Sequence, residues 1–335
     1  MSDGRGAAAA MRPGIVLGQI LELRRYPVKS MQGEPVEALE FDDVGAVADR
    51  RWAVRDETTG RLLQARTTRP LIHATARLVD GDPVIALPDG TELFGPGSRT
   101  DDALSAWLGR PVRLVASQGG AAIGDPSIEI PADAQFAAWT DEARRSLGLR
   151  GALARMRPQP VEPVAPASTT GSAGSDGAIV APAPSHVLVL PSLPGSFNDC
   201  EPVSLLSESE LAAGRHAVPD ADWDRRRFRP NIILRDRAGD ASELAWVGWR
   251  LAIGEVVINV TEPTLRCAMT TVDQPGLEKD PRVLGALAKT RGAYFGRYGR
   301  VVRKGTIRRG DPIRFAGVGA ANDLELFEFY RARIG

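Results

Sequence analysis

The residue with the most chemistry available to it is Cys267, in the stretch "EPTLRCAMTTVDQP" from Glu262 to Pro275. A thiolate is a nucleophile and a soft metal donor, and the adjacent Arg266 is a cation that favours the ionised form. Thr270, Thr271 and Asp273 offer hydroxyls and a carboxylate that could order a loop around it. The competing fate of a free cysteine is to serve as a small buried hydrophobe. Lys29 and Ser30, in "RRYPVKSMQGE", stand where a strand gives way to a loop. A lysine and a hydroxyl so placed can hold a phosphate, one as a point charge and the other as a donor; an ordinary polar turn is the alternative. Arg50 opens the strand "DRRWAV", where it could equally pair with Asp49 or Asp56. In "RRRFRPNIIL" Pro230 and Asn231 lead into an apolar run, so Arg229 is placed at a strand mouth. There a guanidinium and an amide could read a polar heterocycle or a phosphate. A solvated basic face is the plainer reading of Arg225 to Arg227.

The rest of the chemistry inventory is short. Two cysteines cannot build a disulfide framework or a four-thiolate zinc site, and His73, His186 and His216 are too far apart for a short-spaced metal motif. Lys plus Arg and Asp plus Glu both number 42, so the chain lacks the sustained basic field of a nucleic-acid or membrane-surface binder. No P-loop or Gly-x-Ser-x-Gly motif is present, and "GVGAAN" lies outside any βαβ unit. No run approaches the roughly 20 apolar residues of a membrane span. The N-terminus lacks the apolar core of a secretory signal. A cytoplasmic location, with reduced thiols, is expected.

These residues need strands to position them, and the patterning supplies strands. "IVLGQILELRRYPVKS", "EPVEALEFD", "DRRWAVRDETTGRLLQAR", "TARLVDGDPVIALPDG" and "RPVRLVAS" alternate or nearly alternate, with Asp-Gly and Thr-Gly turns between them. That density of hairpins predicts a barrel or compact sandwich. "DDALSAWLG" predicts a short helix closed by Gly109, and residues 133–148 a second, interrupted one. Ser207 and Glu210 form a capping box ahead of another, and "DPRVLGALAKTRG" predicts a fourth. Strand patterns return in "NIILR", "WRLAIGEVVINVTEPT" and "GRVVRKGTIRRGDPIRF", where Glu262-Pro263 should interrupt the strand. The fold class is mostly β with short helices (α+β). The stretch at about 157–185, dense in Pro, Ala, Ser and Gly and without an aromatic residue, reads as a flexible insertion, with a domain linker as the alternative. Met1 or Met11 could be the start.

Taken together, these motifs resemble those of MOSC proteins, named for the C-terminal domain of molybdenum cofactor sulfurase. "YPVKSMQGE" and "DRRWAV" are similar to the family's N-terminal β-barrel domain; "FRPNIIL", "RCAMTTVDQ" and "GTIRRGDPI" are similar to the MOSC domain itself. The resemblance is greatest to the subgroup of the mitochondrial amidoxime-reducing component and bacterial relatives. With a flexible tail expected at 1–14, it implies an N-terminal barrel domain at 15–118 and a MOSC domain at 119–320 containing the insertion, followed by an extension at 321–335. It implies Mo-molybdopterin as cofactor, with Cys267 as the protein ligand of the metal. Lys29, Ser30, Arg50, Arg229 and Asn231 would then contact the cofactor, joined by Asp199, Cys200 and Glu201 from the loop before the capping-box helix, and by Leu265 and Arg266 before the ligand. Two features depart from the pattern: Arg51 separates Arg50 from Trp52, and Cys200 stands where the subgroup often has a hydroxyl residue. The implied activity is reduction of N-hydroxylated or related oxygenated small molecules. Without an iron–sulfur cysteine cluster, electrons would come from a separate ferredoxin, flavoprotein or cytochrome. The alternatives are a sulfur carrier using a Cys267 persulfide, and a cofactor-storage protein.

Overall fold

In the computed structural model, which describes residues 12–117, 129–131, 185–187, 195–198, 201–237 and 246–319, the patterned runs become strands. In chain order these are β1 (Val16–Arg25), β2 (Glu34–Val36), β3 (Ala38–Asp42), β4 (Gly45–Ala46), β5 (Trp52–Asp56), β6 (Thr75–Val79), β7 (Asp82–Ala86) and β8 (Glu92–Phe94). Helix α1 (Ser98–Leu108) and β9 (Val112–Ala116) follow, then the short pair β10 (Glu129–Pro131) and β11 (Ser185–Val187). The second half comprises β12 (Val203–Ser207), α2 (Glu208–Ala217), β13 (Ile232–Asp236), β14 (Trp249–Ile253), β15 (Val256–Leu265), α3 (Pro281–Arg291), β16 (Tyr294–Arg303), β17 (Gly305–Arg308) and β18 (Pro312–Val318).

Seven strands close on themselves in the order β13, β12, β16, β15, β14, β18 and β1, and β1 returns to β13. The first strand of the chain therefore completes a ring whose other members all come after residue 202. Every pairing is antiparallel except β12 with β13. Closure removes the sheet edges and puts alternate side chains inside. Leu17, Ile20, Leu23, Leu205, Ile232, Leu251, Val256, Ile258 and Phe315 fill that interior. A second lobe is built from the β5–β9 pair, the β6–β7–β8 sheet and α1, around Val54, Leu63, Leu71, Ile85, Leu104 and Leu114. Helices α2 and α3 enclose a third core of Leu211, Trp223, Phe228, Leu287 and Phe295.

Local rules account for several junctions. Asp80 and Gly81 both have positive φ (50° and 91°), as a two-residue hairpin turn between β6 and β7 requires. The Ser207 hydroxyl accepts from the Glu210 amide while Glu210 accepts from the Ser207 amide, completing the capping box of α2. Helix α1 starts at Ser98, earlier than the expected start at the aspartates; Asp101 lies in its first turn and accepts from Leu114 N at 2.9 Å, tying α1 to β9. The strand was expected to break at Glu262-Pro263, but β15 runs on to Leu265. It does so through register shifts at Val260/Glu262 and Pro263/Leu265, irregularities that accommodate a residue lacking an N–H. The expected helix at 133–148 lies outside the described residues, as does the 157–185 stretch apart from Ser185, which opens β11.

Candidate functional site

The first wall of the site is the loop after β1. Tyr26 is buried; its amide donates to Asp49 Oδ1 at 2.7 Å and its hydroxyl to the Pro230 carbonyl at 3.2 Å. Its own carbonyl accepts from the Arg50 amide at 2.7 Å, and the Lys29 amide donates to the Trp52 carbonyl, so the two loops travel side by side. Lys29 is 5 % exposed and donates from Nζ to the Phe197 carbonyl at 2.7 Å. Ser30 is half-buried in the left-handed region (φ 70°). Arg50 shares that conformation (φ 50°) and forms an ion pair with the buried Asp49. Burial, the largest single influence, opposes its charge, but Asp49 together with Tyr26 and Tyr298 holds the guanidinium above its ordinary value.

The second wall comes from the barrel. Residues Arg225–Phe228 form one 3₁₀ turn, capped by Asp224, and Arg229 leaves it with φ 51°. Arg229 Nη1 donates to the Met31 carbonyl at 2.6 Å, and Arg50 Nη2 approaches the Arg229 carbonyl at 3.4 Å. Both guanidiniums lie over the Tyr26 ring, with carbon-to-centroid distances of 4.8 Å for Arg50 and 4.4 Å for Arg229. Ser30, Arg50 and Arg229 thus all carry a backbone conformation that non-glycine residues rarely adopt, and such strain concentrates at functional sites.

The third wall is the end of β15. Arg266 donates from Nε to the Phe295 carbonyl (2.6 Å) and from Nη1 to the Phe228 carbonyl (2.9 Å), one residue before Arg229. Its Nη2 is buried and has no hydrogen-bond partner among the described residues. Burial, its largest influence, pulls the guanidinium below its ordinary value, while Tyr298, Glu210 and Cys267 act the other way. Cys267 is a free, exposed cysteine, so the buried-hydrophobe reading does not hold for it. Its carbonyl accepts from both the amide and the hydroxyl of Thr270, and Thr271 Oγ1 donates to the Ala268 carbonyl. That explains the paired threonines: they wind the chain into a 3₁₀ turn directly after the thiol.

Both lobes grip the loop that follows. Val272 buries its side chain in the second lobe's core. Gln32 Nε2 donates to Gln274 Oε1 at 2.9 Å, and His73 Nε2 lies 3.0 Å from Asp273 Oδ2. From the barrel side Arg227, whose side chain is fully buried, donates to the carbonyls of Val272 and Glu278. Arg227 was expected on a solvated basic face; it is instead the internal clamp of the cysteine loop.

Lys29, Ser30, Arg50, Arg229, Arg266 and Cys267 therefore belong to one connected region. Asn231 borders it, but its side chain joins strands, with Oδ1 accepting from Ser204 N and Nδ2 donating to the Arg24 carbonyl. Glu201 is buried in a bidentate pair with Arg300, both contacts 2.6 Å. Leu265 is exposed beside the thiol. Asp199 and Cys200 lie outside the described residues. Sequence reasoning missed Tyr26, Gln32 and Arg227. Only the position of Tyr26, just before Pro27, hinted at a fixed ring.

Two family descriptions cover most of the described chain: residues 17–118 match the MOSC N-terminal beta barrel domain and residues 193–314 match the MOSC domain. The chain is a MOSC-domain protein. MOSC domains are associated with binding of the molybdenum cofactor. No curated protein matches the chain. Among solved structures, YiiM from Geobacillus stearothermophilus is 20 % identical with a TM-score of 0.30, covering 40 % of this chain, which spans 65 % of that structure. The YUAD protein from Bacillus subtilis is 10 % identical over 89 % of this chain and 94 % of its own, with a TM-score of 0.38. YiiM from Escherichia coli is 15 % identical over 37 % and 58 %, with a TM-score of 0.25.

The residues present fit such a cofactor. An exposed thiol is a soft donor, and Arg50, Arg229 and the orphaned Nη2 of Arg266 are donors suited to anionic groups. Among the described residues there is no group of three or more His, Cys, Asp or Glu that could hold a metal ion. Among those residues, too, no helix is long and apolar enough to cross a membrane.

Proposed function

We propose that this MOSC-domain protein holds Mo-molybdopterin against the arginine cluster and acts as a molybdenum-dependent oxidoreductase. Its substrates are N-hydroxylated or related oxygenated small molecules, and its electrons come from a separate carrier protein. The observation that carries this reading is the exposed Cys267 thiol on a loop clamped from both lobes, next to Arg266, whose backbone and guanidinium are fixed by three carbonyls. Cys267 Sγ would be the protein's ligand to the metal. Arg50 and Arg229 would bind the cofactor's phosphate, Lys29 would add charge from behind the Phe197 carbonyl, and Ser30 would donate from its hydroxyl. When bound, the cofactor supplies the redox chemistry by which oxygen leaves or enters a substrate. The chain's own work is to hold the thiol in place, neutralise the phosphate, and leave the approach to Sγ open beside Leu265.

Exposure of Cys267 also suits a second reading, a persulfide carrier. Protein purified from a molybdate-fed host separates the two. Stoichiometric molybdenum and pterin, both lost in Cys267→Ala, are expected. Molybdenum-free protein bearing labile sulfane sulfur on Cys267 would favour the carrier and overturn the oxidoreductase.

A further inference from the structure

We propose that Tyr26 is a positioning residue whose ring holds the Arg50 and Arg229 guanidiniums as a preformed receptor for a phosphate dianion. The inference rests on the cofactor-binding reading above, but concerns this chain's own residues. Two like charges cannot be brought together over one ring without compensation. Here one comes from a segment before β5 and the other from the turn before β13, yet both lie over the same ring, 4.8 Å and 4.4 Å from its centroid. The negative face of an aromatic ring attracts a guanidinium most strongly where water is excluded, and Tyr26 is 1 % exposed. Asp49 supplies the rest of the compensation, accepting from the Tyr26 amide with one oxygen and from Arg50 with the other.

Nothing about the ring is left free to adjust. Its hydroxyl is bonded to the Pro230 carbonyl, and its backbone carbonyl accepts from the Arg50 amide. Gly33 is packed against it so closely that an added Cβ would stand 2.6 Å from a ring carbon. Both arginines also hold left-handed backbone conformations. A receptor fixed in this way does not spend ordering entropy when an anion arrives, which is the advantage of preorganisation. A planar guanidinium pair is suited to two-point recognition of a phosphate.

The test uses the cofactor-free full chain and inorganic phosphate as probe, with affinity measured by calorimetry and folding by thermal melts. Tyr26→Phe keeps the ring and drops the hydroxyl, with its hydrogen bond to the Pro230 carbonyl and its interaction with Arg24, so it should bind within about twofold of the parent. Placing pentafluorophenylalanine at position 26 reverses the ring's quadrupole at nearly constant shape, and should weaken phosphate about fivefold or more while melting with the Tyr26→Phe protein. In the Arg50→Ala and Arg229→Ala double variant the same ring change should have no effect on phosphate. Equal affinity of the phenyl and perfluorinated chains, or failure of the parent to bind phosphate, overturns the proposal. Either failure is distinct from failure of the oxidoreductase reading, which is decided by molybdenum and pterin content.

Discussion

Arg266 lays its guanidinium against Gly296: a Cβ built on that glycine would stand 2.8 Å from Nη2 and 2.8 Å from the Leu205 carbonyl oxygen. Gly296 also has φ 81°, and its amide donates to Glu210 Oε1 at 2.8 Å. The glycine therefore leaves room for the Arg266 guanidinium to lie against β16, where it bonds the Phe295 and Phe228 carbonyls and fixes the residue before Cys267. Gly296→Ala should lower stability by more than about 1 kcal/mol, because the backbone conformation and the close approach both exclude a side chain. It should also reduce molybdenum retention beyond what the stability loss explains. Urea unfolding and metal analysis on the folded fraction check the two effects separately.

What the sequence discloses and what it hides divide along contact distance. The capping box at Ser207 and Glu210, the Asp80-Gly81 hairpin and the Asp280 cap ahead of Pro281 are local, and local rules predict them. The closing of the barrel by β1 is not, since its partners β13 and β18 lie more than 200 residues away. Cys267, Lys29, Arg50 and Arg229 could be picked out because thiol and cation chemistry shows in residue type. Tyr26 could not: its role depends on two arginines that converge on it only in three dimensions. Arg227 misled for the reverse reason. Three successive arginines look alike in sequence, and only the turn geometry turns one of them inward while Arg225 reaches Glu22 at 2.8 Å.

The Glu210–Arg297 pair should be the most costly polar pair to break. Both side chains are at most 1 % exposed, the Nη1–Oε2 distance is 2.9 Å, and Arg297 also lies over the Trp246 ring. Glu210 further serves the amides of Ser207 and Gly296. Glu210→Ala removes the carboxylate that faces a buried guanidinium and takes the acceptor from those two amides, so a loss of roughly 3–5 kcal/mol is expected. Replacing an exposed partner, as in Lys304→Ala, whose ion pair with Asp43 is in water, should leave the denaturant midpoint nearly unchanged.

Acid stability should carry the mark of Asp280. Its carboxylate caps α3, accepting from the Arg282 amide and guanidinium and from the Asp222 amide. The Arg282 hydrogen bond, more than any other influence, holds its pKa well below the usual 3.8, at about 2. A depressed carboxylate adds stability that is complete above its unfolded pKa and disappears as pH falls through the folded one. The difference between the parent and Asp280→Asn should therefore be constant above about pH 4 and shrink towards about pH 2. Asp280→Ala should cost about 1–2 kcal/mol at neutral pH through loss of the cap. Chemical denaturation at stepped pH reads both.

His73 and Asp273 join the second lobe to the cysteine loop at 3.0 Å, but their side chains are 33 % and 60 % exposed. Water screens such a pair, so its coupling energy should be no more than about 1 kcal/mol. The buried contacts of the same loop, Val272 in the second lobe's core and Gln32 with Gln274, do not face that screening. Truncating Val272 to Ala should accordingly cost roughly 2 kcal/mol, through lost methyl burial and the cavity left behind. With the imidazole protonated, a double-mutant cycle on His73→Ala and Asp273→Ala should give a coupling that fades in 1 M salt, while the Val272→Ala cost persists. If the ion pair proved the larger and salt-insensitive, the loop would be held electrostatically rather than by packing, and loss of Val272 would leave the geometry around Cys267 unchanged.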